Sequence, residues 1–192
     1  MVKSDVSNFE YVEGNEFNIL KELLNNPMPY NGNSIKEAKT AQDELTSKVL
    51  ARILEEKTKA ISATQKAIDD IKSKEEFMKL NDANQILIIA PFEEIIGKLR
   101  EQRYIAVIRD TKTKTLESLF PRQLNEMIRL GTPIEEDGDV VNDPVPHYIS
   151  RTSIKVDFGK TELRTEADVD DYLEALKKAM LKQISENRRI SL

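Results

Sequence analysis

The chain has no cysteine, no tryptophan and one histidine among its 192 residues. The absence of cysteine excludes a disulfide framework, a thiolate nucleophile and a cysteine-based zinc site. A single histidine also excludes a histidine-rich metal centre. No apolar run reaches the length of a membrane span, and no signal peptide is recognisable at the start. We therefore expect a cytoplasmic protein without a membrane partner.

Aromatic residues and glycine are scarce as well. Aromatic residues make up 6% of the chain and there are six glycines, whereas 33% of the residues are charged. This composition favours an elongated, helix-rich protein over a globular enzyme. The net charge of −5 argues against bulk nucleic-acid binding, although it leaves room for a local basic patch.

The best-specified stretch is residues 147–192, which predicts a strand-helix-strand unit. A run rich in β-branched residues covers 149–158, and Ile190 and Leu192 indicate a second short strand. Between them, Thr165 is a good N-cap, and Asp168 three residues later gives the start of a capping box. Two strands joined by a helix within one sheet are expected to be parallel.

An apolar stripe runs along this predicted helix. Its members recur at steps of three and four residues, while acidic residues crowd the first turns and basic residues follow. We predict that the stripe is a partner interface formed by Val169, Tyr172, Leu173, Leu176, Met180 and Ile184.

Residues 34–102 predict a helical hairpin that resembles a coiled coil. The pattern from Ser34 to about Ser73 contains no glycine or proline, and ~40 helical residues would extend roughly 60 Å. A helix of that length needs a partner helix. Residues 82–102 provide one, with Asp82 as the N-cap and Pro91 expected to kink or restart it. The turn of the hairpin is predicted near 75–81.

The rest of the chain divides around these two parts. Residues 1–33 are predicted as an N-terminal segment with one short helix. Residues 103–130 are predicted as a strand over 104–109 followed by a helix over 115–130, in which Pro121 begins the second part. Residues 131–146, which are acidic and rich in proline and glycine, are predicted as a linker. The predicted fold class is thus mainly α with a small α/β part: an elongated helical hairpin plus the C-terminal strand-helix-strand unit.

Short motifs in the C-terminal half do not support a nucleotide site. Gly159, Lys160 and Thr161 match the end of a phosphate-binding loop, but that loop needs a glycine five residues earlier, where Ile154 stands. Residues 157–159 spell the kinase triplet DFG without the other kinase sequences, so we take the match as chance.

Two further groups are candidates for chemistry and are weak ones. The acidic cluster Glu135, Glu136, Asp137 and Asp139 does not follow the spacing of a calcium loop. His147 has no recognisable nucleophile or acid partner for general-base catalysis. We therefore predict no catalytic residue, no cofactor and no metal site in this chain.

One local basic patch interrupts the acidic background. Six basic residues stand against Glu101 and Asp110, with Tyr104 among them, and phosphate contacts require such a cluster. The residues that would contact nucleic acid are Lys98, Arg100, Arg103, Arg109, Lys112 and Lys114.

The C-terminal sequence carries a resemblance to a known family. The run TEADVDDYLEALKKAMLKQI (165–184), followed by ENRRISL (186–192), resembles the extreme C-terminus of the large P-loop ATPases of bacterial BREX phage-defence systems, the BrxC/PglY family. The segment PFEEIIGKL (91–99) also fits the C-terminal region of that family.

The resemblance implies that this chain is part of a larger ATPase. In the family, the nucleotide-binding loop and the magnesium-binding strand lie far upstream, so those residues transfer to no position here, and ATP and magnesium would belong to the parent protein. The implied role is assembly, with the chain itself or other BREX subunits as partner. Two alternatives remain: a DNA-contacting arm that uses the basic patch, and a stand-alone helical adaptor.

Overall fold

The structure is a computed structural model that describes residues 6–26, 28, 32–132 and 147–191. It is 77% helical, with a small parallel sheet near the C-terminus, and this confirms the predicted fold class. The described residues form α1 (Glu16–Asn25), α2 (Ser34–Lys72), α3 (Glu75–Met78), α4 (Asp82–Glu101), α5 (Ile105–Lys114), α6 (Phe120–Gly131), β1 (His147–Ser150), α7 (Glu166–Ser185) and β2 (Arg188–Ser191). Val6–Tyr11 and Arg151–Ser153 are short 3₁₀ helices, and Thr115–Leu119 is a π-helical turn.

The long helix α2 fits the predicted helical hairpin. Its buried residues recur every three or four positions from Ala41 to Ile71, as a helix with one covered stripe requires. The second predicted helix is α4. Pro91 lies within it without a restart, because α4 runs continuously from Asp82 to Glu101.

The predicted N-cap of α4 is displaced by one residue. The Asn81 side-chain oxygen, not that of Asp82, accepts a hydrogen bond from the Asn84 backbone N–H at 2.9 Å. Asparagine is as good an N-cap as aspartate. The two residues are adjacent, and the sequence offered no signal to choose between them.

Backbone contacts divide the chain into two compact units. The first comprises the described parts of 1–64 and 94–113, and the second comprises 65–93 and the described parts of 114–192. The hydrophobic core of the first unit combines residues of α2, α4 and α5: Leu45, Val49, Ile53, Ala60, Leu99, Ile105 and Ile108.

The predicted strand at 104–109 is wrong, because Ile105–Lys114 is helix α5. The run YIAVIR is rich in β-branched residues, but it is buried with a helical period: Ile105 and Ile108 are fully buried, whereas Val107 is 42% exposed. The first backbone N–H of this helix is bonded by a side chain from far away in the sequence: the Asn8 side-chain oxygen accepts a hydrogen bond from the Ile105 N–H at 2.9 Å. Tertiary contacts therefore override the local β preference.

In the second unit, α3 packs on α6, β1 packs on α6, and α7 packs on β2. Pro121 lies in the first turn of α6, as predicted. Strands β1 and β2 are parallel, with His147 opposite Arg188 and Ser150 opposite Ser191. The parallel pairing confirms the predicted strand-helix-strand unit.

The first strand of that unit is shorter than its sequence predicts. The β-branched run extends to 158, but β1 ends at Ser150 and a 3₁₀ turn follows. The Ser153 hydroxyl donates to the Ser150 carbonyl at 2.6 Å, and the Ser150 hydroxyl accepts from the Thr152 N–H at 3.3 Å. Serine and threonine side chains that bond to nearby backbone in this way compete with a strand ladder.

Candidate interaction surface

Helix α7 begins with the predicted capping box. The Thr165 hydroxyl accepts from the Asp168 N–H at 3.2 Å, and the Asp168 carboxylate accepts from the Thr165 N–H at 2.9 Å. The same carboxylate receives Lys160 Nζ at 2.5 Å and the Arg164 N–H at 2.9 Å. The Lys160 ammonium and these hydrogen bonds hold the pKa of Asp168 well below its usual range. The first turn of α7 is therefore firmly fixed.

The other end of α7 is closed by Asn187, which has a φ of 57°. Asparagine adopts this left-handed conformation more readily than most residues, and it is common just after a helix. Its N–H donates to the Ile184 carbonyl at 3.0 Å, and the chain then enters β2 directly. Both ends of α7 are thus defined by local hydrogen bonds.

No residue of α7 is buried, although the helix has 20 residues. The predicted interface residues divide into two groups along the stripe. Tyr172, Leu176 and Met180 are half-buried, and the Tyr172 ring meets Phe158 edge-on at 5.3 Å between centroids. The other three are exposed: Val169 by 40%, Leu173 by 52% and Ile184 by 56%.

These three residues and Leu181, which is 54% exposed, lie along one side of α7, which we call the α7 flank: Val169, Leu173, Leu181 and Ile184. Charge changes sign along the same helix. Residues 166–174 contain five acidic and no basic side chains, whereas 175–185 contain three lysines and no acidic side chain. The flank is therefore apolar except at Lys177, which lies between Leu173 and Leu181, and it is acidic at one end and basic at the other.

The two-stranded sheet that carries α7 is anchored by side chains that the sequence analysis did not identify. Asn125 of α6 accepts from the Tyr148 N–H at 2.6 Å and donates to the Tyr148 carbonyl at 2.9 Å. An amide side chain thus occupies the hydrogen-bonding positions of a third strand at the outer edge of β1. No sequence pattern indicates this contact, because Asn125 lies on a helix 23 residues away from Tyr148.

Arg189 of β2 makes further polar contacts that anchor this two-stranded sheet. Its guanidinium donates to the Tyr148 hydroxyl at 3.1 Å and lies 3.4 Å from the Glu76 carboxylate. The hydrogen bond to the Tyr148 hydroxyl, together with Glu76, raises the pKa of Arg189. The sheet that holds α7 is therefore tied to α3 and to α6 by polar contacts.

Two residues of the predicted basic patch, Arg109 and Lys98, pair with carboxylates of the same chain. Arg109 donates to the Glu56 carboxylate at 2.7 Å and lies over the Tyr11 ring at 4.9 Å. This hydrogen bond lowers the pKa of Glu56, although the burial of Glu56 alone would raise it. Lys98 pairs with Glu94 at 2.6 Å. Of the remaining residues, Arg100 lies in the last turn of α4, Arg103 lies between α4 and α5, and Lys112 and Lys114 lie on α5.

The other candidate groups do not form a chemical site in the described part of the chain. Lys160 of the GKT sequence binds Asp168 and lies 3.6 Å from Asp171, so two carboxylates surround the position that a phosphate would need. His147 begins β1 and is exposed. The acidic cluster at 135–139 lies outside the described residues. Among those described, no group of three or more histidine or acidic residues is arranged to hold a metal ion.

A groove of about 510 Å³ lies in the second unit. Its walls come from α2, α3 and α4 and are mainly apolar: Lys72, Phe77, Met78, Gln85, Ile86, Ile89 and Glu93. Its charged groups, Lys72 and Glu93, have opposite signs and indicate no particular ligand. In the described residues, no helix has the length and apolarity needed to cross a bilayer.

The fold and this surface define a mainly helical protein with a small α/β unit at its C-terminal end. Residues 148–192 of the chain match the family model described as the BrxC C-terminal alpha-beta domain. The match covers nearly the whole strand-helix-strand unit, supports a BrxC C-terminal region and confirms the resemblance seen in the sequence. Comparisons with curated proteins and with solved structures gave no match.

Proposed function

We propose that this chain is a C-terminal assembly domain of a BREX defence ATPase and that the α7 flank is its docking surface for a protein partner. The role is binding, without an active site in this chain. The ATP and magnesium chemistry would take place in the upstream part of the parent protein. The match of 148–192 to the BrxC C-terminal alpha-beta domain supports the defence assignment.

The exposure of the α7 flank is the observation that carries the assembly role. Val169, Leu173 and Ile184 recur on one side of a 20-residue helix and are each 40% or more exposed. Single exposed apolar residues are ordinary, but several exposed apolar residues on one side of a helix are typical of a protein-protein contact. Its burial by a partner would remove apolar area from water at a gain of about 25 cal/mol per Å².

The polar contacts at the ends of α7 suit this role. The capping box at Thr165 and the turn at Asn187 fix the helix before any partner binds. A preformed helix loses little conformational entropy on docking, so more of the burial energy is available for affinity. Asn125 and Arg189 also help to fix α7 before a partner binds, because they hold the sheet on which α7 packs.

The test is a substitution in the full-length parent within a cell that carries the complete defence system. Leu173→Glu places a charge in the middle of the exposed flank, where a partner would have to bury it. We expect other defence subunits to be lost from the purified complex, together with protection against phage. ATP hydrolysis by the parent should continue, because α7 contributes no group to it.

Lys178→Glu is the matched control, since it also introduces a carboxylate on α7 but on the side away from Leu173. This control should leave both the complex and the protection intact. If the Leu173→Glu parent co-purifies with the other subunits as well as the unaltered protein does, the α7 flank does not hold those subunits in the complex, and the proposed assembly role is rejected.

A further inference from the structure

We infer that the partner of the α7 flank is a second copy of this chain, packed so that the two α7 helices run antiparallel about a two-fold axis. This inference rests on the proposed function and commits that docking surface to one occupant. It is carried by two patterns along α7, one apolar and one charged, whose centres lie within one helical turn of each other.

Two apolar pairs along α7 are symmetric about a point between Leu176 and Lys177, although one of them includes the half-buried Met180 and Leu181 has no exposed counterpart. Val169 and Ile184 lie at equal distances from this point, and so do Leu173 and Met180. In an isologous contact the same surface serves both copies, so residue i meets residue j while j meets i. An antiparallel pair centred here would therefore place Val169 opposite Ile184, and Leu173 opposite Met180, twice over.

The charge pattern specifies the direction of the pair. Residues 166–174 are acidic and 175–185 are basic. Parallel helices would align like charges, whereas antiparallel helices bring each acidic half beside the basic half of the other copy. Near the axis, Glu174 of one copy would lie next to Lys177 of the other, and both side chains are exposed in the chain itself. The opposed helix dipoles also favour the antiparallel direction.

The size of the contact indicates a modest affinity. A helix of 20 residues is roughly 30 Å long, and one side of it is already half-covered by its own chain. A single helix pair of this length lies at the small end of specific interfaces, where dissociation is readily observed. We therefore expect a monomer-dimer equilibrium that depends on protein concentration.

The first experiment is sedimentation equilibrium on the 192-residue chain over a wide concentration range. The mass should rise from 22.0 kDa towards twice that value. Glu174→Lys and Lys177→Glu should each weaken the dimer by about tenfold, because each creates like-charge contacts across the axis. The double variant Glu174→Lys/Lys177→Glu should restore the dimer, since the two copies then exchange the signs of both groups.

The absence of cysteine permits a second, geometric test. A single cysteine introduced at position 177 by Lys177→Cys lies beside the axis and should cross-link to itself with a short bismaleimide. Lys178→Cys is the matched control, because position 178 lies on the far side of α7 and should not cross-link even when the chain dimerises. Both positions are exposed, so neither substitution should disturb folding.

A chain that stays monomeric at every concentration would overturn the inference. So would equal cross-linking at 177 and 178, or a double charge variant no better than the single ones. These failures differ from a failure of the proposed function. A monomeric chain whose Leu173→Glu parent still loses the other defence subunits would retain the docking surface with a different occupant. A dimer whose disruption leaves the defence complex intact would retain the inference and reject the function.

Discussion

Helices α5 and α7 carry the same kind of amphipathic pattern but use it differently. Helix α5 has ten residues, and Ile105 and Ile108 on its apolar side are fully buried. Helix α7 is twice as long and buries none of its residues. In the first unit, residues of α2 and α4 such as Val49 and Leu99 cover the stripe of α5. Along one side of α7, the described chain provides no such cover.

The difference shows what hydrophobic periodicity can reveal. The spacing of apolar residues identifies which side of a helix will be covered, and this holds for both helices. It does not reveal whether the cover comes from the same chain or from another molecule. That distinction has an energetic consequence, because a stripe covered within the chain contributes to its folding, whereas an exposed stripe contributes only when a partner binds.

The largest effect is expected from Ile108→Ala. Ile108 is fully buried in the core of the first unit, and truncation of such a side chain costs about 2–5 kcal/mol. Urea unfolding followed by circular dichroism would measure the loss. Val107→Ala is the control. Val107, the neighbour of Ile108 on α5, is 42% exposed, so its truncation should cost no more than about 0.5 kcal/mol. Equal costs would mean that α5 is not packed as described.

The next effect concerns the contact that turns 105–114 into a helix. The Asn8 side chain donates to the Arg103 carbonyl and accepts from the Ile105 N–H, both at 2.9 Å, and Asn8 is 1% exposed. Asn8→Ala would leave two backbone groups without their partner, at a cost of about 2 kcal/mol.

Amide hydrogen exchange would locate this loss, which should appear first at the start of α5. Asn18→Ala provides the control, because its side chain is exposed and bonds only to Asn15 nearby. Protection at Ile105 that survives Asn8→Ala would show that local sequence alone can start the helix.

The contacts tested by these two substitutions also show which parts of the fold could be predicted from the sequence. The C-terminal unit was predictable because its signals are local: Thr165 and Asp168 are three residues apart, and the stripe of α7 repeats within single turns. Helix α5 was predicted as a strand because its start depends on Asn8, 95 residues from Arg103. The two hydrogen bonds between Asn125 and the edge of β1 were not predicted for the same reason. Contacts between distant segments leave no periodic trace in one sequence.

The candidate site follows the same rule. The stripe from Val169 to Ile184 could be identified as a surface, because its spacing is local. Its division into half-buried and exposed residues could not, because that depends on where Phe158 and β2 lie. The pairing of Arg109 within the basic patch could not be predicted for a related reason, since the Glu56 carboxylate that binds it lies 53 residues away.

A smaller effect is expected at the start of α7. Thr165→Ala removes the hydroxyl that accepts from the Asp168 N–H, and loss of such a cap costs about 1 kcal/mol. Because α7 buries no residue, the loss should appear as fraying of its first turn, measurable by hydrogen exchange at 166–169. Thr161→Ala, a few residues upstream at an exposed position, should leave that exchange unchanged.

Acid should weaken the same turn. The pKa of Asp168 is depressed in the folded chain by Lys160 and by backbone and hydroxyl hydrogen bonds, whereas the pKa of an unfolded aspartate is about 3.9. Its stabilising contribution is therefore present above about pH 4 and is lost as the pH falls further. Asp168→Asn should remove this acid dependence from the exchange of the first turn. An unchanged acid profile in that variant would assign the effect to other carboxylates.

The smallest effect is expected from Leu173→Ala, and it decides the comparison between the two helices. Leucine is removed here as isoleucine is removed at 108, but Leu173 is 52% exposed on a helix without buried residues. The free energy of unfolding, measured at protein concentrations low enough to keep the chain monomeric, should change by less than about 0.5 kcal/mol. A cost close to that of Ile108→Ala would mean that the chain covers its own α7 stripe in solution. The α7 flank would then not be available as a docking surface. A negligible cost, combined with lost association at higher concentration, would show that the apolar residues of α7 act in binding and contribute nothing measurable to folding.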